Sequence, residues 1–271
     1  MKKKRVSLLV SVLLVFSMLL SACGGGGTSS SGQSSSGSEG GDQTEAVSEA
    51  AGDSTDASAA STGEPKEGGV LRIGTGQSPT VIGYTPEINN NSFLQFLRTA
   101  FNSLCFYDEE GNLAPELAES WETDPDAATI TFHLRSGVKF SDGTDFNAEA
   151  VKWNIEQYQS AGRTEVASVA SIDCPDENTV VIQLEAWSSS ALESIGFFVY
   201  YMSPTAFEEN GGADWARFNA VGTGPFIMTS FEQGVGVTYE KNPNYWEEGK
   251  PYLDGVEFSI ISEPTTLENA L

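Results

Sequence analysis

The chain has 271 residues, with 14 Lys plus Arg against 38 Asp plus Glu and a formal net charge of −24. Four of the cations (Lys2, Lys3, Lys4, Arg5) stand at the extreme N-terminus, so the rest is more acidic still. This balance excludes nucleic acid and anionic lipid surfaces as main partners, because both are held by clustered Lys and Arg. One histidine and three cysteines leave little material for a His-rich metal site or a disulfide scaffold.

Lys2 to Arg5 form a positive n-region, and Val6 to Leu20 is an apolar run too short to span a bilayer comfortably, as in a signal peptide. The run ends in Leu20-Ser21-Ala22-Cys23, which resembles the bacterial lipoprotein lipobox. That resemblance implies cleavage before Cys23 and lipidation of its thiol, hence a membrane anchor of several acyl chains. Residues 24–64 hold Gly, Ser, Ala, Thr and seven acids, with no aromatic and no cation. Such a segment cannot bury enough apolar surface to offset its ordering entropy and is expected to be a disordered tether with a reach of roughly 35 Å.

Folded sequence begins near residue 65. Val70 to Thr75 reads as a strand. Asn89, Asn90, Asn91 and Ser92 offer N-caps for a helix whose apolar stripe is Phe93, Leu97, Ala100, Phe101 and Leu104. Thr129 to Arg135 alternates, with Ile130, Phe132 and Leu134 on one face. Asn147 is placed to cap a helix that turns Ala148, Val151, Ile155 and Tyr158 inward. Val180 to Leu184 and Phe197 to Met202 read as strands, Phe226 to Phe231 and Val235 to Tyr239 as a hairpin, and Val256 to Ile261 as a last strand. Pro264 suits the start of a helix over Thr265 to Leu271. The pattern is a mixed α+β (α/β) globular domain.

Three stretches resemble the extracellular solute-binding protein family 5, the solute-binding proteins of peptide and nickel ABC importers. The first runs from Tyr107-Asp108 through Gly111 and Pro115 to Leu117-Ala118-Glu119-Ser120-Trp121. The second is Thr131-Phe132-His133-Leu134-Arg135, then Gly137-Val138-Lys139-Phe140, Asp142-Gly143 and Asn147-Ala148-Glu149. The third is Gly222-Thr223-Gly224-Pro225-Phe226, followed by Asn242-Pro243-Asn244-Tyr245-Trp246 and Pro251-Tyr252-Leu253-Asp254.

The resemblance implies a type II periplasmic-binding-protein-like fold of two lobes. By that map, residues 65–98 and 180–271 belong to lobe one and 99–179 to a small inserted domain. Family members are considerably longer, so the chain is expected to lack lobe two. The resemblance further implies capture of a peptide or related solute without a cofactor or a metal. It implies delivery to ABC permease subunits by a monomer anchored on the outer or periplasmic side of the cell membrane.

It places Asn89, Asn90 and Asn91 in a ligand-touching loop, and Gly222, Thr223 and Gly224 near the cleft and hinge, with Tyr245 and Trp246 able to line the cleft. The same residues also suit bland roles: caps and turns for the asparagines, a tight turn for the glycines, core for the aromatics. A ligand-sensing or scavenging surface lipoprotein without its own permease is the alternative within the same class. A surface hydrolase using Asp108, Glu109 and Glu110 is a third, but these acids sit in a turn beside Gly111 as solvated charge. His133 falls on the polar face of its strand, and Cys105 and Cys174 read as two buried free thiols rather than a disulfide.

Overall fold

The computed structural model describes residues 65–89 and 91–263. The signal segment 1–23 with Cys23, the tether 24–64, Asn90 and the helix expected over 265–271 lie outside the described residues.

Thr129 to Leu134 forms the strand its alternation predicts, and the other expected strands form as well, Phe197 to Met202 excepted. Strand β1 is Val70–Thr75, and helix α1 is Leu94–Ala100, preceded by a 3-10 turn at Asn91–Phe93. Helix α1 is shorter than its apolar stripe predicts. Phe101 is already extended, at φ −129° and ψ 150°, and the cap residue Phe93 offers no side-chain hydrogen bond. Phe101 stays in one core with Phe96 and Leu97, whereas Leu104 enters another. The stripe therefore spans a crossing between two cores rather than one long helix.

After two short strands, β2 (Cys105–Tyr107) and β3 (Leu113–Pro115), the chain builds β4 (Ala118–Asp124) and β5 (Thr129–Leu134). Helix α2 (Ala148–Ser160), β6 (Val169–Asp176) and β7 (Thr179–Leu184) follow. Strands β4, β5, β7 and β6 form an antiparallel sheet in that order. Ile130, Phe132, Val180 and Ile182 are all at 0% exposure on one face, which α2 covers with Ala148, Val151, Ile155 and Tyr158. Each such burial is worth about 1.5–3 kcal/mol, so this layer is held mainly by apolar contact. Asn147 caps α2 as predicted, its side chain accepting the Ala150 N–H at 3.0 Å.

Phe197 to Met202 is not a strand. Helix α3 (Ala191–Phe198) ends within it, and beyond the helix only Met202 makes a single bridge, to Gly222. A continuous apolar run fits a buried helix as well as a strand. Here Ala191 and Ile195, one turn apart, face the core, and Gly196 brings the helix against Cys105, whose Sγ would lie 3.0 Å from an added Cβ. Cys105 and Cys174 are free thiols; Cys105 is buried as expected, and Cys174 is half-buried.

Two short helices, α4 (Pro204–Glu209) and α5 (Ala213–Ala216), precede the hairpin of β8 (Phe226–Glu232) and β9 (Gly236–Lys241). Strand β10 (Gly255–Ile260) pairs antiparallel with β9 and parallel with β1, giving the sheet order β1-β10-β9-β8. Its buried face carries Val237, Tyr239, Val256 and Phe258 against Phe96, Leu97 and Phe101.

Candidate functional site

The extended residues after α1 create a buried polar junction. Asn102, 4% exposed, donates from Nδ2 to Glu116 Oε1 at 2.9 Å. Its Oδ1 accepts from Thr223 Oγ1 and from Trp246 Nε1, both at 3.2 Å. Glu116 Oε2 accepts the Ser103 N–H at 2.9 Å and the Ser103 hydroxyl at 2.8 Å. Burial pushes the Glu116 carboxyl above its ordinary value, opposed by the hydrogen bonds from Asn102 and Ser103 and by the charge of Arg98. Arg135 lies over the Trp246 ring, 4.8 Å from its centroid, and donates from Nε to the Glu116 carbonyl at 2.5 Å.

Gly222 and Gly224 are close-approach residues. A Cβ on Gly222 would stand 2.3 Å from the Ala100 carbonyl oxygen, and one on Gly224 2.4 Å from the Ala100 carbonyl carbon. The Gly224 N–H instead donates to the Ala100 carbonyl at 3.0 Å. Asn242, 2% exposed, donates to the Gly224 carbonyl at 2.9 Å, tying the Asn-Pro-Asn-Tyr-Trp stretch to the glycine turn. Tyr245 packs on Trp246 with ring centroids 5.3 Å apart, and burial raises its phenol above the ordinary range. Glu116, Arg135, Tyr245 and Trp246 share the wall of a 420 Å³ cavity with Phe106 and Lys250.

Thr223 and Trp246 thus meet on one amide, with Gly222, Gly224 and Tyr245 around them. Asn89 is elsewhere: it is exposed and lines a separate cavity of 330 Å³ with Leu94, Tyr158, Arg163 and Tyr200. Asn91 is placed only as the first residue of the 3-10 turn. The residues that sequence reasoning missed are Asn102, Glu116 and Arg135. The last two stand inside the motif stretches, but Asn102 carries no signal, because it lies within an apolar stripe of helical spacing.

The described hydroxyls and amides of the junction hold one another, an arrangement suited to fixing backbone rather than to reacting. Among the described residues, no group of three or more His, Cys, Asp or Glu is placed to hold a metal ion, and no helix is long and apolar enough to cross a membrane. His133 pairs with Ser120 across the sheet, and its Nε2 stands 4.0 Å from the diagonal Glu122 carboxylate, with 41% of its side chain exposed.

The two four-stranded sheets, one with a parallel first-to-last pairing and the other fully antiparallel, sit in the fold of the type II periplasmic binding proteins, as superposition shows. The agropinic-acid-binding protein AgaA of A. tumefaciens R10 superposes with a TM-score of 0.67 at 31% identity, over 75% of this chain and 42% of AgaA. DppA of Helicobacter pylori, solved with the peptide STSA, gives 0.67 at 24% identity, over 76% of this chain and 45% of DppA. NikA of Brucella suis, solved with Fe(III)-EDTA, gives 0.62 at 29%, over 72% of this chain and 40% of NikA. In sequence, the glutathione-binding protein GsiB of Shigella flexneri is 33% identical over 175 residues, which are 62% of this chain and 34% of GsiB. The chain therefore matches about a third of the length of this curated relative.

Residues 112–271 match the bacterial extracellular solute-binding proteins, family 5 Middle. The chain belongs to that family.

Proposed function

We propose that the protein is the solute-capturing component of an ABC importer, binding a peptide or a related small solute outside the cytoplasm and passing it on chemically unchanged. The observation that carries this reading is the superposition on AgaA at 31% identity across both sheets. The fold shared with the peptide-bound DppA agrees with it. Cys23 would hold the protein to the membrane through lipid, and the acidic stretch 24–64 would let it move between membrane and permease.

In this reading the sheet of β1, β10, β9 and β8 forms lobe one, and the β4-β5-β7-β6 layer is the inserted domain, its boundary set after Leu184 because β7 pairs within that layer. Ligand contact is assigned to the Asn89 to Asn91 loop, where Asn89 is exposed beside a cavity. Thr223, Gly224 and Trp246 act by positioning, since their groups are engaged with Asn102 and Ala100, and Gly222 does so by its close approach to Ala100 and by accepting the Ser141 N–H.

Incubating the full chain with a mixture of di- to pentapeptides and glutathione, followed by gel filtration and mass spectrometry of what stays bound, tests the reading. A retained subset of unaltered mass is the expected result. Cleaved products, or no retained solute, would contradict it.

A further inference from the structure

The 330 Å³ cavity beside Asn89 lies between α1 and the helical elements of the other layer, and no residue of the buried junction is among those lining it. Its apolar wall is Ile88, Leu94, Leu97 and Phe198. The polar groups facing that wall are mainly donors. The Tyr200 hydroxyl accepts from Arg98 Nε at 3.4 Å, which leaves its own proton for another acceptor. Ser194 and Asn89 bring a hydroxyl and an amide. Arg163 spends Nε and Nη2 on Glu165 and one Nη1 proton on the Ile88 carbonyl, and so retains further N–H groups.

Among the described residues the one carboxylate in the lining, Glu165, is held in that two-point pair with Arg163, so the pair has no net charge. Arg98 stands outside the lining, over the Phe197 ring at 4.9 Å, with its Nη2 buried and without a hydrogen-bond partner among the described residues. Its positive charge favours an anion at the Tyr200 hydroxyl and outweighs there the opposing charge of Glu116 from the junction. A chamber with one aliphatic wall, several free donors and a cation behind the central donor fits a carboxylate on an apolar body. Its volume is near the lower end of ligand pockets, which span roughly 300–1,000 Å³, so it fits one or two residues rather than a long peptide.

We propose that this cavity binds a small carboxylate carried on a branched aliphatic body, with Tyr200 and Ser194 donating to the carboxylate and Leu94, Leu97 and Phe198 packing the chain. The site is distinct from the Asn102 junction, and it rests on the solute-capture reading, since it fills the cavity beside the Asn89 loop to which ligand contact is assigned.

The test is titration calorimetry of the full chain at 0.15 M salt, where acids beyond about 8 Å are screened. The probes are N-acetyl-leucine, its uncharged analogue N-acetyl-leucinamide, and 4-methylpentanoate. One-site binding of N-acetyl-leucine is expected, with the amide about tenfold weaker. Ser194→Ala and Tyr200→Phe each weaken the acid by about three- to tenfold, and Leu94→Trp, which fills the chamber, abolishes binding. Circular dichroism confirms that each variant is folded. Should Leu94→Trp not fold, Ser194→Ala and the acid–amide pair still decide the matter.

Equal binding of 4-methylpentanoate and N-acetyl-leucine would identify a free acid as the ligand, and tighter binding of N-acetyl-leucine a peptide C-terminus; both support the site. Absence of heat up to about 10 mM, equal affinity for acid and amide, or indifference to Ser194→Ala and Tyr200→Phe would overturn it. Any of these alongside retained peptides in the mass-spectrometry experiment would remove this site and leave the solute-capture reading standing.

Discussion

The β4-β5-β7-β6 sheet and the β1-β10-β9-β8 sheet each have four strands, yet they are assembled by different routes. The first is antiparallel throughout and closes its core from residues between Leu104 and Tyr201. The second joins β1 to β10 in parallel, pairing Val70 with Gly255 and Thr75 with Ile260, so its edge strand waits for the whole intervening chain. Strand β5 buries every second residue, whereas β1 leaves Val70 at 40% and Leu71 at 46% exposure. Local alternation is enough to specify the first layer. The second depends on contacts of high sequence separation, which carry a larger loop-closure entropy.

The contrast can be broken most strongly at its apolar centre. Phe132→Ala, in the middle of the antiparallel layer, should cost about 3–5 kcal/mol in chemical denaturation. Amide exchange should show β5 and β7 as the slowest segments and β1 as faster. A β1 as protected as β5 would erase the proposed difference between the layers. At the seam between them, Gly224→Ala forces a Cβ onto the Ala100 backbone and should cost about 3 kcal/mol, because backbone on both sides must move. An unchanged melting temperature would show that the close approach is not required.

Asn102→Ala should cost about 1–3 kcal/mol by leaving Glu116, Thr223 and Trp246 without their shared partner. The Glu116 carboxyl supplies a pH signature of the same junction. Its folded pKa is raised, chiefly by burial, so the folded state takes up this proton more readily than the unfolded chain. Its contribution to stability is fully present below the unfolded value and is lost as pH rises through the folded one. Relative to Glu116→Gln, which does not titrate, the wild type should therefore gain melting temperature as pH falls from neutrality towards the ordinary glutamate range. A pH-independent difference between the two would contradict the burial assigned to this carboxyl.

The smallest effect is expected at Tyr201, whose buried hydroxyl has no hydrogen-bond partner among the described residues. Tyr201→Phe should be neutral or stabilising by about 1 kcal/mol, and a loss of similar size would reveal a partner for that hydroxyl.

The antiparallel layer was readable because Thr129 to Leu134 alternates cleanly, Val180 to Leu184 is a β-branched apolar run, and Asn147 is a capping residue before an amphipathic stretch. The run from Phe197 to Met202 misled because apolar continuity does not separate helix from strand. The seam was hidden for a different reason. Asn102 and Leu104 lie in what looks like a helical stripe, and only the approach of Gly222 and Gly224 from more than a hundred residues away shows that the chain must straighten there. Thr223 and Trp246 were singled out by resemblance to the family. That they converge on Asn102 is a property of the three-dimensional arrangement alone.

Calorimetric titration of the full chain with the solute recovered from the mass-spectrometry experiment tests the central claim most directly. Saturable one-site binding, with the solute recovered chemically unchanged, is the predicted result. Heats that do not saturate, or conversion of the solute during the titration, would contradict solute capture as the work of this protein.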